Sequence, residues 1–184
     1  MLTLHFDYTS PAAVHALLRL QALADRGALV GFVGIDALGL QATIPATLDQ
    51  LEELDRYGPR VRALGLQLRR PRVRPPTLGA HLLAGLASAH DLGAAWRRAV
   101  LEAYWTRGLD IASDEVLVEL ATGVGLTHDA AHDWLTDRSR RVALWRTMAT
   151  ERGRGVGGVP VLEFEGTLVP ADLDDEDLFR LASL

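Results

Sequence analysis

Leu2-Thr3-Leu4-His5-Phe6-Asp7-Tyr8-Thr9-Ser10-Pro11 is the stretch on which the reading of the whole chain turns. Leu2 to Tyr8 is rich in apolar and β-prone residues, which predicts a short buried strand. Thr9, Ser10 and Pro11 break it. Pro11 suits the first turn of a helix, where its missing N–H removes nothing, and Ala12 to Asp25 carries helical periodicity through Val14, Leu17, Leu18 and Leu20. Gly27 is placed to end that helix, and Leu29 to Ile35 supplies a second apolar strand before Gly39. Strand, helix and strand within about 35 residues form a βαβ unit, which makes the two strands parallel.

The far end of the chain returns to β character. Arg152 to Gly158 reads as a glycine-rich loop, Val159 to Glu165 as a strand, Glu165-Gly166 as a tight turn and Thr167 to Val169 as the returning strand of a hairpin. Asp174 to Leu184 then reads as a helix with Leu178, Phe179 and Leu181 available to pack on the sheet. Between the two ends, Ala46 to Asp55, Thr77 to Asp91, Ala94 to Arg107, Asp114 to Thr122 and Ala130 to Thr150 read as helices with few strand signals among them. Thr77, Ser113 and Thr127 are placed as caps, and Asp114 and Glu115 fall in an early turn that favours acids. The fold class expected is therefore α/β, a βαβ half and a ββα half around a large all-helical insertion. Residues 1–45 and 151–184 make the sheet-bearing domain and 46–150 the insertion.

Bulk properties bound the function. The chain has 184 residues, enough for one domain with an insertion and a substantial core. Its 48% hydrophobic and 23% charged content is that of a globular protein. A formal net charge of -5 argues against a nucleic-acid partner, which selects for a basic surface. With Cys 0 in the composition, disulfides, thiolate metal sites and thiol nucleophiles are excluded. No apolar run approaches the roughly 20 residues that cross a bilayer, and the N-terminus lacks a charged region followed by a long apolar stretch. A cytoplasmic location and no membrane partner are the expectations.

Three motifs carry a resemblance to a known superfamily. Phe6-Asp7-Tyr8-Thr9-Ser10-Pro11 is similar to the strand-to-helix motif of 2-hydroxychromene-2-carboxylate isomerases and kappa-class glutathione transferases. FrnE-like dithiol oxidoreductases of the same superfamily have Cys-Pro-x-Cys there, and Ser10 and Ala13 match the two cysteine positions. Gly158-Val159-Pro160-Val161 resembles the superfamily's Val-Pro pair with a cis peptide bond. The stretch from Gly65 to Leu126, with Ala80-His81-Leu82-Leu83, Glu102-Ala103-Tyr104-Trp105 and Gly108-Leu109-Asp110-Ile111, resembles its insertion domain. The chain thus resembles DsbA-like proteins of thioredoxin fold over nearly its whole length.

That resemblance implies a site. Ser10, with Pro11 behind it, stands where the serine of the isomerases and transferases hydrogen-bonds the sulfur of glutathione, and a helix N-terminus favours a bound thiolate. Val159 and Pro160 are implied to present backbone to a peptide-like ligand, and Asp172 resembles a position that contacts the γ-glutamyl end. Each has a plainer reading: Ser10 as a helix cap, Pro160 as fold geometry and Asp172 as a capping or solvated acid. Arg69, Arg70, Arg72 and Arg74 form a compact basic cluster outside helices, either solvated or holding an anionic substrate. Where the isomerases often have Pro-Asn-Thr, this chain has Pro75-Pro76-Thr77, so an asparagine that helps bind substrate is absent.

No metal is expected. His128 and His132 share a helix face at i, i+4 spacing, but two ligands do not make a site. His5, His15 and His81 read as structural, and Trp96, Trp105, Trp134 and Trp145 as filling of the helical core. The leading functional expectation is a thiol-dependent isomerase or transferase. In it, Ser10 activates glutathione or another low-molecular-weight thiol toward an electrophilic substrate. The competing expectation is a cysteine-less, catalytically inactive relative of the DsbA-like oxidoreductases that serves as a peptide-binding or interaction module. Members of the family are often dimers, so a homodimer is open to either.

Overall fold

The computed structural model describes residues 1–182; the last two residues of the helix expected over Asp174 to Leu184 lie outside the described residues. Strand β1 (Leu2–Phe6) runs into helix α1 (Pro11–Ala24), and the chain returns as β2 (Val30–Gly34). β1 pairs parallel with β2 from Leu2↔Val30 to Phe6↔Gly34, as a βαβ unit requires. Late in the chain β5 (Val161–Phe164) and β6 (Thr167–Pro170) form the hairpin, joined at Glu165 and Gly166. Both turn residues have positive φ, 49° and 79°, the pairing that a two-residue turn needs to match strand twist. β5 lies antiparallel against β1, giving one four-stranded sheet in the order β2-β1-β5-β6. Helix α8 (Asp175–Ala182) closes the chain.

The middle contains α2 (Leu48–Ala63), α3 (Leu78–Ala89), α4 (Gly93–Leu101), α5 (Asp114–Gly123), α6 (His128–Thr136) and α7 (Arg138–Glu151). A thioredoxin-like core with an extensive helical segment, α3 to α7, is therefore the architecture. Several expected boundaries move. α2 runs past Asp55 and through Pro59 to Ala63, because Gln50, Leu54, Tyr57 and Val61 keep one face buried. The single helix expected over Ala130 to Thr150 is two. Asp137 takes an extended conformation, and its carboxylate accepts from the amides of Ser139 and Arg140 at 2.8 and 3.1 Å, capping α7 afresh. α4 continues as a π-helical turn, Glu102–Arg107, that ends at Gly108 with φ 70°. The glycine-rich loop begins with a similar turn, Arg152–Val156.

A second, two-stranded ladder pairs β3 (Ile44–Pro45) with β4 (Val73–Arg74), and the expected strand-poor middle gave no sign of it. Trp96 and Trp105 are fully buried, but Trp145 is exposed, contrary to its expected place in the core. His128 and His132 stack on an exposed helix face, and no group of three potential metal ligands occurs among the described residues. No helix among them is long and apolar enough to cross a membrane.

His81 joins the sheet to the helical segment. Its ring stacks on Tyr8 at 4.6 Å and meets Phe6 edge-on at 5.4 Å. The space exists because residue 34 is glycine: a Cβ there would sit 1.9 Å from His81 Nδ1. Burial pushes the His81 pKa down to about 4. A base depressed in the fold is neutral there while the unfolded chain takes up a proton below about 6.5. Stability is thus full above pH 6.5 and falls by roughly 3 kcal/mol as pH drops toward 4. Urea unfolding at pH 7.5 and 4.5 should show this loss, and His81→Leu should remove most of it. An unchanged pH slope in that variant would assign the acid sensitivity to other groups.

Candidate functional site

The site is built where β1 hands over to α1. Asp7 follows the last strand residue and is buried; its Oδ1 accepts from the Thr9 amide and hydroxyl, both at 2.9 Å, and its Oδ2 from the Ala37 amide at 2.8 Å. These bonds fold the Tyr8-Thr9 turn and tie it to the loop after β2. Ser10 then caps α1 in an extended conformation, its Oγ accepting from the Ala13 amide at 3.2 Å, with Pro11 at the first helical position. Across from this turn, the Val159–Pro160 peptide bond is cis and leads directly into β5.

The two ends meet. Thr9, Ser10, Ala37, Gln50, Glu53, Arg74, Gly158 and Val159 line one cavity of about 200 Å³. Of the arginines 69 to 74, only Arg74 reaches it. On β4, neighbouring side chains point to opposite sides, so Val73 is exposed while Arg74 turns inward and is buried. The Arg74 Nε donates to Thr9 Oγ1 at 3.0 Å, and its Nη2 lies 3.9 Å from Asp7. Arg69, Arg70 and Arg72 line a different cavity. Asp172 is elsewhere too, in the loop ahead of α8, facing Arg56 at 3.3 Å and Arg60 at 3.6 Å.

Glu53 is the residue that sequence reasoning missed. It belongs to α2, and its Oε2 accepts the Ser10 hydroxyl at 2.9 Å and lies 3.4 Å from the Ala12 amide. The positive end of the α1 dipole therefore already holds a carboxylate, in the position where a bound thiolate would be stabilised. Ser10 accordingly donates its proton to the protein itself. Gln50, one helical turn earlier, bonds the Thr9 carbonyl at 2.8 Å and the Tyr104 hydroxyl at 3.1 Å, fixing α2 against the turn. The hydroxyl of Tyr104 donates in turn to the Val73 carbonyl at 2.8 Å, and burial pushes its pKa up to about 12. Asp36, in the loop after β2, lines a neighbouring cavity instead; it is buried, and burial raises its pKa. Its carboxylate accepts from the Gly39 and Thr77 amides at 3.1 and 3.4 Å.

Comparison with known proteins agrees with this architecture. The family described as DSBA-like thioredoxin domain matches residues 1–182. A probable DsbA oxidoreductase from Streptomyces coelicolor is 22% identical with a TM-score of 0.80, the match covering 99% of this chain and 88% of that one. A 2-hydroxychromene-2-carboxylate isomerase is 20% identical with a TM-score of 0.74 over 99% and 92% of the two chains. The cytosolic disulfide reductase DsbM from Pseudomonas aeruginosa, whose structure contains glutathione, is 21% identical with a TM-score of 0.66 over 99% and 93%. At these identities the likeness is one of fold. No curated protein matches the chain.

Proposed function

This chain belongs to the DSBA-like thioredoxin domain family, and from that premise we propose that its cleft is a non-redox recognition site for a peptide-like ligand. Without cysteine it cannot carry out dithiol–disulfide exchange with its own side chains. The observation that carries the reading is the 2.9 Å hydrogen bond from Ser10 to Glu53. A carboxylate at the α1 N-terminus repels a second anion, so the position that would favour a thiolate disfavours one here. The cavity, about 200 Å³, is also smaller than the roughly 300–1,000 Å³ usual for an enclosed small ligand. It suits a segment lying across its mouth, against the Val159 backbone, with Arg74 and Glu53 as opposite charges beneath. A cytosolic setting belongs to this reading, in keeping with the description of the Pseudomonas reductase.

A second reading has one observation in its favour: Ser10 and Val159 do share a cleft. On that reading the protein is a thiol-dependent isomerase or transferase, with glutathione or a similar thiol bound at Ser10 and an electrophile beside it. Calorimetric titration separates the two. An unfolded, cysteine-blocked polypeptide such as carboxymethylated lactalbumin should bind saturably, and millimolar glutathione should neither bind nor compete. Saturable glutathione binding that disappears in Ser10→Ala would overturn the recognition reading in favour of the thiol-dependent one. Failure of the blocked polypeptide to bind would end it outright.

A further inference from the structure

Arg69, Arg70, Arg72 and Arg107 line a single cavity of about 450 Å³ on the far side of β4 from the Ser10 cleft. Its walls include Pro71, Pro75 and Leu109, and the nearly buried Tyr104 and Trp105 rings back it. We propose that this cavity is a second ligand site, independent of the cleft, that takes a small molecule carrying a diphosphate or comparable cluster of phosphoryl oxygens.

The case begins with what these arginines do not touch. All 19 basic residues of the chain are arginine, and 24 acids are present to pair with them. Arg19, Arg56, Arg60, Arg74, Arg98, Arg140, Arg141, Arg154 and Arg180 each face a carboxylate. Arg69, Arg70, Arg72 and Arg107 make no side-chain hydrogen bond, ion pair or ring contact among the described residues, and all are exposed. In a chain of net charge -5, guanidiniums left unpaired and gathered on one concavity concentrate positive potential where the surface as a whole is negative. A planar guanidinium offers paired donors that match phosphoryl oxygens.

The cavity is also held in shape. Its two arms, Gln67 to Val73 and Tyr104 to Asp110, are stitched across by three bonds: the Arg69 amide to the Trp105 carbonyl at 3.0 Å, the Thr106 hydroxyl to the Gln67 carbonyl at 3.1 Å, and Tyr104 to Val73. Gly108 takes φ 70° and turns the second arm back beneath Arg107. Asp110, the one acid in the wall, has an oxygen committed to the Ala112 amide at 2.9 Å. The backbone that carries the arginines is thus held in place, and binding has to order only their side chains. The size, about 450 Å³, falls within the range of small-molecule pockets.

Isothermal titration of the full chain with inorganic pyrophosphate at low salt tests this. One-to-one saturation is expected, with affinity reduced at least tenfold in Arg72→Ala/Arg107→Ala. Arg62→Ala/Arg146→Ala removes two other exposed arginines that lie outside the cavity, and should bind as the parent does. Adding ADP as a second titrant assigns the source: binding tighter than pyrophosphate points to a phosphate ester, weaker binding to free diphosphate. No saturation with pyrophosphate, equal weakening in both double variants, or a single-stranded oligonucleotide that pyrophosphate cannot displace would each overturn the proposal.

Discussion

Arg74→Ala is expected to destabilise the fold by about 3–5 kcal/mol, the range for removing one partner of a buried charge pair. Arg74 and Asp7 are both buried, and the link between them passes mainly through Thr9, whose hydroxyl accepts from Arg74 Nε and donates to Asp7 Oδ1. Removing the guanidinium leaves the Asp7 carboxylate with three hydrogen bonds from Thr9 and Ala37 but no cation near it. Those three bonds place the expectation toward the lower end of the range, since the direct Arg74–Asp7 separation is a long 3.9 Å. Urea unfolding provides the measurement. Asp7→Asn/Arg74→Met, which removes both charges, should recover a large part of the loss, because the isolated buried charge is then gone. A cost below about 1 kcal/mol for Arg74→Ala would show that the pair does not hold the turn.

The legibility of this molecule follows how local each signal is. The strand–helix–strand opening was readable because each element carries its own periodicity, and Ser10-Pro11 marks the junction within two residues. The Glu165-Gly166 turn was readable for the same reason. β3 and β4 were not, since each is two residues long, with Pro45 inside the first and Pro75 directly after the second; no periodicity exists at that length. The break between α6 and α7 depends on Asp137 bonding forward to Ser139 and Arg140, a local competitor that an uninterrupted helical pattern conceals. Arg74 and its neighbours read as one basic run, yet alternation on β4 sends Arg74 into the cleft and Val73 outward, while Arg72 precedes the strand and lines the other cavity. Asp7, an acid between Phe6 and Tyr8 in the stretch expected to be a buried strand, was the available hint that some cation had to turn inward. For Glu53 no local hint exists: on its own helix it is an ordinary half-buried acid, and only packing of α2 on α1 delivers it to Ser10.

Glu53 also governs what would happen if the missing chemistry were restored. Ser10→Cys/Ala13→Cys creates a Cys-Pro-Ala-Cys run at the start of α1, where the helix dipole normally lowers the pKa of the first thiol. In the parent chain, turnover of insulin disulfides with dithiothreitol as the reductant should equal the uncatalysed rate, for want of a redox couple. The double variant should exceed it, because the first thiolate attacks the substrate disulfide, the second resolves the mixed disulfide, and dithiothreitol returns the pair to its reduced form. The gain should be muted, however, because the Glu53 carboxylate lies within hydrogen-bonding reach of the position-10 side chain and opposes a second negative charge. Adding Glu53→Gln should lower the pKa of the introduced position-10 thiol by about 1–2 units, read from the pH dependence of its alkylation by iodoacetamide. An identical pKa with and without Glu53 would mean that the carboxylate does not command the helix end. The case for a recognition site over a thiolate site would then lose its main physical support, since Asp49, the other acid that lines the cleft, has no hydrogen bond to Ser10 among the described residues.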